Sequence, residues 1–233
     1  MSGPPARRPR GLVVAIDGPS GAGKSTAGRA LAARFGYTFL DTGAMYRALA
    51  LRALRAGAPL DDEGALARLA EGIRIEFEPG GHGVRVDGED VGPALRAREV
   101  SAAASRVSVH PAVRRCMVAR QREMGREGGV VLDGRDIGTA VFPDADVKFF
   151  LDADPHRRAL RRQRELAAAG TAADVEAIES EIRARDRADS TRTDSPLTRA
   201  ADAVSLDTTE LEPAEVVERM ATLVEERRGP SHP

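Results

Sequence analysis

The chain is poor in three chemically useful residues. A single cysteine, Cys116, among 233 residues excludes an internal disulfide and a cysteine-built metal site, and its helical surroundings mark it as a packing residue. The four histidines, His82, His110, His156 and His232, fall in expected turns, helix starts or the terminus, and none stands at metal-ligand spacing. Lysine is scarcer still. Of 35 basic residues only Lys24 and Lys148 are lysines, the rest being arginine. No apolar run approaches the ~18 residues of a membrane span. Met1 to Arg10 lacks the apolar core of a secretory leader, so the expected compartment is the cytoplasm, without membrane partners. A formal net charge of -1 leaves no bulk attraction to polyanions, which argues against a nucleic-acid partner. There is no internal repeat, no low-complexity linker and no Asn-Lys-x-Asp guanine reader.

What is present begins with Gly18-Pro-Ser-Gly-Ala-Gly-Lys-Ser-Thr26, after the apolar run Leu12 to Ile16 and before a helical Ala27 to Phe35. Gly18, Gly23, Lys24 and Ser25 fit G-x-x-x-x-G-K-[ST], the phosphate-binding loop between a strand and a helix. Such glycines let backbone N–H groups converge on an anion at a helix N-terminus. In this loop type Lys24 reaches the β- and γ-phosphates of a nucleotide and the Ser25 hydroxyl ligates Mg²⁺. In so arginine-rich a chain, a lysine here points to a compact ammonium rather than a planar guanidinium.

With 42% hydrophobic and 30% charged residues, the chain can build one α/β domain with an insertion. After the loop helix, Tyr37 to Leu40 reads as a strand ending at Asp41-Thr42, and Ala44 to Arg55 as an amphipathic helix. Thr42 fits equally as the cap of that helix or as a ligand. This β-α-β-α alternation predicts a mainly parallel sheet with helices on both faces and ligands at the carboxyl ends of its strands. From about 61 to 109 the texture changes. A helix from Asp61 to Gly72 precedes small strands at Ile73 to Phe77, Gly83 to Val86 and Glu89 to Val91, with turns at Pro79-Gly-Gly81 and Asp87-Gly88. Helices are expected from Ala94 to Val107 and from Ala112 to Arg126, the latter started by Pro111.

The parent pattern returns at the strand Gly129 to Leu132, which delivers Asp133, the candidate metal partner, at its end. The strand Val147 to Leu151 follows. Residues 155–192 form two helices, separated at Ala169-Gly170-Thr171, that carry nine arginines including Arg157, Arg158, Arg161, Arg185 and Arg192. Two readings stand for them: solvated faces pairing with Glu165, Glu176, Glu179 and Glu181, or a lid that brings positive charge over phosphates. A strand at Ala203 to Leu206 and a helix from Glu212 to Glu226 close the chain.

Several segments together resemble bacterial cytidylate (CMP/dCMP) kinases: the loop 18–25, Leu40-Asp-Thr-Gly-Ala-Met-Tyr-Arg47, Asp133-Gly-Arg-Asp-Ile-Gly-Thr139, Phe142-Pro-Asp-Ala, Val147-Lys-Phe-Phe-Leu-Asp-Ala153 and Arg185-Asp-Arg-Ala-Asp-Ser-Thr-Arg192. The likeness runs from about 12 to 225. It implies an α/β fold: a three-layer P-loop kinase core over 11–60 and 110–228, an inserted small α+β nucleoside-monophosphate-binding subdomain over 61–109, a helical lid over 155–192, and flexible tails at 1–10 and 229–233. It implies ATP-dependent, Mg²⁺-dependent phosphorylation of CMP and dCMP in pyrimidine nucleotide metabolism; a monomer is expected because no long apolar stripe remains unassigned. ATP would lie on Gly18, Pro19, Ser20, Gly21, Ala22, Gly23, Lys24, Ser25 and Thr26. Thr42, standing where the family often has serine, would face the acceptor's phosphate and ribose with Arg47, Arg135 and Arg192. Ser105, Arg114 and Asp136 would read the cytosine, with Arg185 and Asp189 at base and sugar. Lys24, Arg135, Arg185 and Arg192 would carry catalysis, and Mg²⁺ would sit on Ser25 or Thr26, with Ser25 favoured by the general motif, beside Asp133. Other readings of the residues are a P-loop kinase for a different acceptor, a nucleotide-dependent switch, and RNA binding by the arginine helices.

Overall fold

The computed structural model describes residues 8–78, 83–168 and 170–229. The expected turn at Pro79-Gly-Gly81, residue Ala169, and the chain ends 1–7 and 230–233 lie outside the described residues. Within the expected N-terminal tail, Arg8 is held by Asp146 at 2.9 Å and Asp144 at 2.6 Å.

Five parallel strands form the central sheet. In chain order they are β1 (Val13–Asp17), β2 (Thr38–Asp41), β6 (Val130–Gly134), β7 (Val147–Asp152) and β8 (Val204–Asp207), arranged β2-β6-β1-β7-β8. β1 and β6 are buried at every residue, which explains why both read as unbroken apolar runs. Their side chains still alternate. Val14 and Ile16 point to one core with α1 (Lys24–Phe35) and α8 (Pro213–Arg228), while Val13 and Ala15 join Leu40, Leu132 and Val141 on the other face. The sheet is thus the middle of three layers.

The expected insertion forms α3 (Glu63–Gly72), a three-stranded antiparallel sheet of β3 (Ile75–Phe77), β4 (Val84–Val86) and β5 (Glu89–Asp90), and α4 (Arg98–Val107). Its apolar faces share one continuous cluster with α2 (Thr42–Arg55) and α5 (Pro111–Gly125). The single helix expected over 94–107 is two pieces. Ala97 is extended at ψ 141°, which separates a 3₁₀ turn at Ala94–Arg96 from α4. After β6, a π-helical turn at Ile137–Val141 was not foreseen. α6 (Pro155–Ala168) and α7 (Val175–Thr191) are the two arginine helices. No described helix is long and apolar enough to cross a membrane.

Candidate active site

The phosphate loop turns out of β1 through glycines that have no alternative. Gly18 sits at φ 144°, where a Cβ would collide with the Leu151 carbonyl oxygen, so β7 packs directly against the loop backbone. Gly23 caps α1 in the left-handed conformation at φ 86°. Asp17, the last residue of β1, is buried and accepts from the N–H groups of Ile137 at 2.8 Å and Gly138 at 2.7 Å. Burial pushes its carboxyl up to about 6, against the opposing pull of those two bonds. Asp17 thereby ties the root of the loop to the turn after β6.

Lys24 is buried, and its ammonium donates back to the Pro19 carbonyl oxygen at 2.6 Å. Burial, reinforced by the charges of Arg135 and Arg185, lowers its affinity for a proton. Ser25 Oγ donates to Asp133 Oδ2, and Asp133 Oδ1 is buried with no hydrogen-bond partner. Asp133 is raised by burial first and by Asp41 second, Asp41 being its register neighbour across β2 and β6. Among the described residues no group of three or more His, Cys, Asp or Glu is arranged to hold a metal. The donors that suit a hard cation are therefore the Ser25 hydroxyl and the orphaned Asp133 carboxylate. That sparse set suits Mg²⁺, which keeps waters and takes most of its ligands from substrate phosphates.

A cavity of about 910 Å³ opens beyond the loop. Of the residues expected at the site, it is lined by Ser20 to Thr26, Arg47, Ser105, Asp133, Arg135 and Arg185. Gly18, Pro19, Thr42, Arg114, Asp136, Asp189 and Arg192 are not in its lining. Thr42 is not the cap of α2: Asp41 is, accepting from Ala44 N at 2.7 Å, because Asp41 still has extended backbone at the strand end whereas Thr42 is already helical. The Thr42 hydroxyl donates to the Asp133 carbonyl oxygen at 2.6 Å. Arg47, one turn into α2, pairs with Asp41 at 2.9 Å and so projects at the cavity wall.

The remaining expected residues form an adjoining buried network. Arg114, only 2% exposed, donates to Asp136 at 2.5 Å, and its guanidinium lies 5.9 Å from the centre of the Tyr46 ring. Arg192 faces the other Asp136 oxygen at 3.6 Å, while its Nε is bonded to the Ser195 carbonyl oxygen at 2.6 Å. Arg135 donates to Asp189 at 2.7 Å. Burial opposes ionisation of Asp189, but Arg135, Arg185 and Arg192 together hold its carboxyl below the usual range. Burial and the nearby Arg135 lower Arg185 to about 10. Within this network Arg114 Nε, Arg185 Nε and Arg192 Nη2 are buried without a hydrogen-bond partner, Arg114 Nε standing 3.8 Å from Asp194 and Arg192 Nη2 3.6 Å from Asp136; Arg120 Nε, outside the network, is likewise unpartnered. Buried donors left open in this way point to acceptors brought by a ligand.

The arginine helices divide between the two readings. Arg162 and Arg183 make exposed pairs with Glu165 and Glu179 along their own helices. Glu181 instead receives Arg98 of α4, linking α7 to the insertion across the cavity mouth. Arg158 is not solvated at all but is 2% exposed beneath the phosphate loop. Thr208 is likewise buried, its hydroxyl donating to the Ala22 carbonyl oxygen at 3.1 Å. Neither could be singled out in the sequence, where Arg158 was one arginine in a run and Thr208 one loop hydroxyl. Asp17 carried a fainter signal, as an acid ending the strand before the loop.

The cytidylate kinase sequence profile matches residues 14–226. A cytidylate kinase of Syntrophotalea carbinolica is 51% identical over 221 residues, covering 94% of this chain and 94% of that protein. One of Geobacillus kaustophilus is 50% identical over 222 residues, covering 94% of this chain and 99% of its own. Among solved structures, an uncharacterized protein from Eubacterium ventriosum superposes with a TM-score of 0.50 at 10% identity, over 91% of this chain and 98% of that one, a likeness of fold alone.

Proposed function

The chain belongs to the cytidylate kinase family, and from that premise we propose that it transfers the γ-phosphoryl group of ATP to CMP or dCMP, giving ADP and CDP or dCDP. The observation that carries this reading is the convergence of the phosphate loop with Arg47, Arg135 and Arg185 on one cavity. A loop for the donor phosphates and a guanidinium wall opposite it are what a transfer between two phosphates requires.

The acceptor is itself a phosphate, anionic near neutral pH, so the reaction calls for no strong general base. The work falls to positioning and charge. The loop N–H groups and Lys24 hold the donor phosphates. The Lys24 ammonium rests on Pro19, and anionic phosphates beside it would oppose the burial that lowers its proton affinity. Ser25 and Asp133 would hold Mg²⁺, which would neutralise charge on the donor phosphates. Arg47 and Arg135 orient the acceptor phosphate, and Arg185 and Arg192, both with an open buried nitrogen, meet charge on the transferred group. Thr42 acts on the acceptor through the shape of the turn, its hydroxyl being engaged with Asp133.

Base choice rests on Asp136, Arg114 and Ser105. Cytosine offers an amino donor at N4 and acceptors at N3 and O2. Asp136 accepts from the amine, and the open Nε of Arg114 supplies a donor. Uracil would set a carbonyl oxygen against the Asp136 carboxylate and leave a buried acceptor unsatisfied. Transfer is tested by following both products by anion-exchange chromatography. CDP appearing in step with ADP is the expected result, and ADP formed with phosphate but no CDP would replace the reading with a nucleotide hydrolase.

A further inference from the structure

Arg158, in the first turns of α6, spreads its guanidinium over three separate parts of the molecule. Nε donates to the Ala153 carbonyl oxygen at 2.9 Å, at the end of β7. Nη1 donates to the Ser20 carbonyl oxygen at 2.9 Å, in the phosphate loop. Nη2 donates to Asp186 Oδ2 at 2.7 Å, on α7. The loop also lies on the stem of this side chain: a Cβ at Gly21, φ 79°, would come within 3.3 Å of Arg158 Cβ. The other Asp186 oxygen, Oδ1, is buried without a partner, so Arg158 is the hydrogen-bonded anchor of that carboxylate.

We infer that Arg158 and Asp186 form a positioning pair that fixes the phosphate loop in register with the arginines of α7. Asp186 follows Arg185 directly and precedes Asp189 and Arg192, so its tether sets where that face of α7 stands. The same guanidinium holds the Ser20 carbonyl oxygen, leaving the loop N–H groups free to face the donor. A planar fork with several fixed donors suits this task, whereas a lysine ammonium presents a single compact centre that cannot span the three acceptors. A shift of about 1 Å at the reacting groups is enough to lower turnover ~100-fold. The donor loop and the transfer arginines are therefore held in mutual register by a contact made at the wall of the cavity itself, which Ser20 and Arg158 both line. This inference rests on the kinase reading.

The test compares Arg158→Lys, Asp186→Asn and the double variant by steady-state kinetics with ATP and CMP, by thermal melting, and by amide hydrogen exchange over residues 19–23. Each single variant is expected to lower kcat about tenfold or more with KM for CMP within threefold. The double variant is expected to be no worse than the poorer single, as for a shared contact. Asp186→Glu should restore part of the rate. Faster exchange of the loop amides in Asp186→Asn is expected without any turnover, so the link is read even if the acceptor proves to be another compound. Asp186 lies at the protein's edge, with its side chain 21% exposed, and Asp186→Asn carries the test if Arg158→Lys does not fold. Wild-type kcat with unchanged loop exchange in Asp186→Asn, or losses that simply add, would overturn the pairing. A wild-type protein inactive on CMP would refute the kinase reading instead.

Discussion

Lys24 Nζ lies 2.6 Å from the Pro19 carbonyl oxygen, so the ammonium is folded back onto the loop it belongs to. That bond joins the two ends of the loop across the glycines that shape it. Replacing Lys24 by Ala removes positive charge at the donor phosphates while leaving the glycines that shape the loop. The expected kcat is lower by on the order of 10²- to 10³-fold, with the fold retained by circular dichroism. Near-normal turnover would remove Lys24 from the mechanism.

Gly18 meets the Leu151 carbonyl oxygen at a backbone angle closed to other residues. Gly18→Ala must push the loop off β7, and the expected loss is about 2 kcal/mol or more of stability together with ATP binding. Denaturant unfolding and ATP titration measure the two effects separately.

The sheet was legible because β1, β6 and β7 are mostly apolar runs with an acid at or next to the end, and the phosphate loop because its spacing admits few other structures. The sequence could not reveal that Arg114 and Asp136, 22 positions apart, share one ion pair, because that depends on how α5 docks on the sheet. Nor could it separate Arg158 from Arg162: both sit on α6, and only the α6 to α7 packing decides which guanidinium is buried. Spacing left Thr42 equally a cap or a ligand, and the capping role falls instead to Asp41, one residue earlier, which has the extended backbone that a capping side chain needs.

Asp17 makes stability depend on pH in a stated direction. Its folded-state value, about 6, lies above the unfolded value of 3.8, so the folded protein binds the proton more tightly. Its contribution is full below pH 3.8 and is lost as pH rises through 6. Asp17→Asn does not titrate, so the variant should gain on wild type by up to about 3 kcal/mol between pH 4 and pH 7. Urea unfolding of both proteins at the two pH values measures the difference, and a constant difference would contradict the buried charge.

Asp133 leaves one carboxylate oxygen open beside the Ser25 hydroxyl. Chelation of Mg²⁺ should abolish turnover. Asp133→Asn should raise the Mg²⁺ concentration for half-maximal rate by about 10- to 100-fold. An unchanged Mg²⁺ dependence would place the ion elsewhere.

Asp136 is the residue on which base choice turns. Asp136→Asn keeps the shape but offers an amide that can accept or donate, so the preference for CMP over UMP should fall by about 10- to 100-fold in kcat/KM. An unchanged ratio would assign the discrimination to Ser105 or Arg114.

The most direct measurement is ADP formation by the wild-type protein from ATP and Mg²⁺ with CMP, dCMP, UMP, AMP, GMP or no acceptor. Rapid turnover confined to CMP and dCMP is the expected result. Equal rates with AMP, or ADP formed regardless of acceptor, would leave the phosphate loop in place and contradict phosphoryl transfer to cytidine monophosphates.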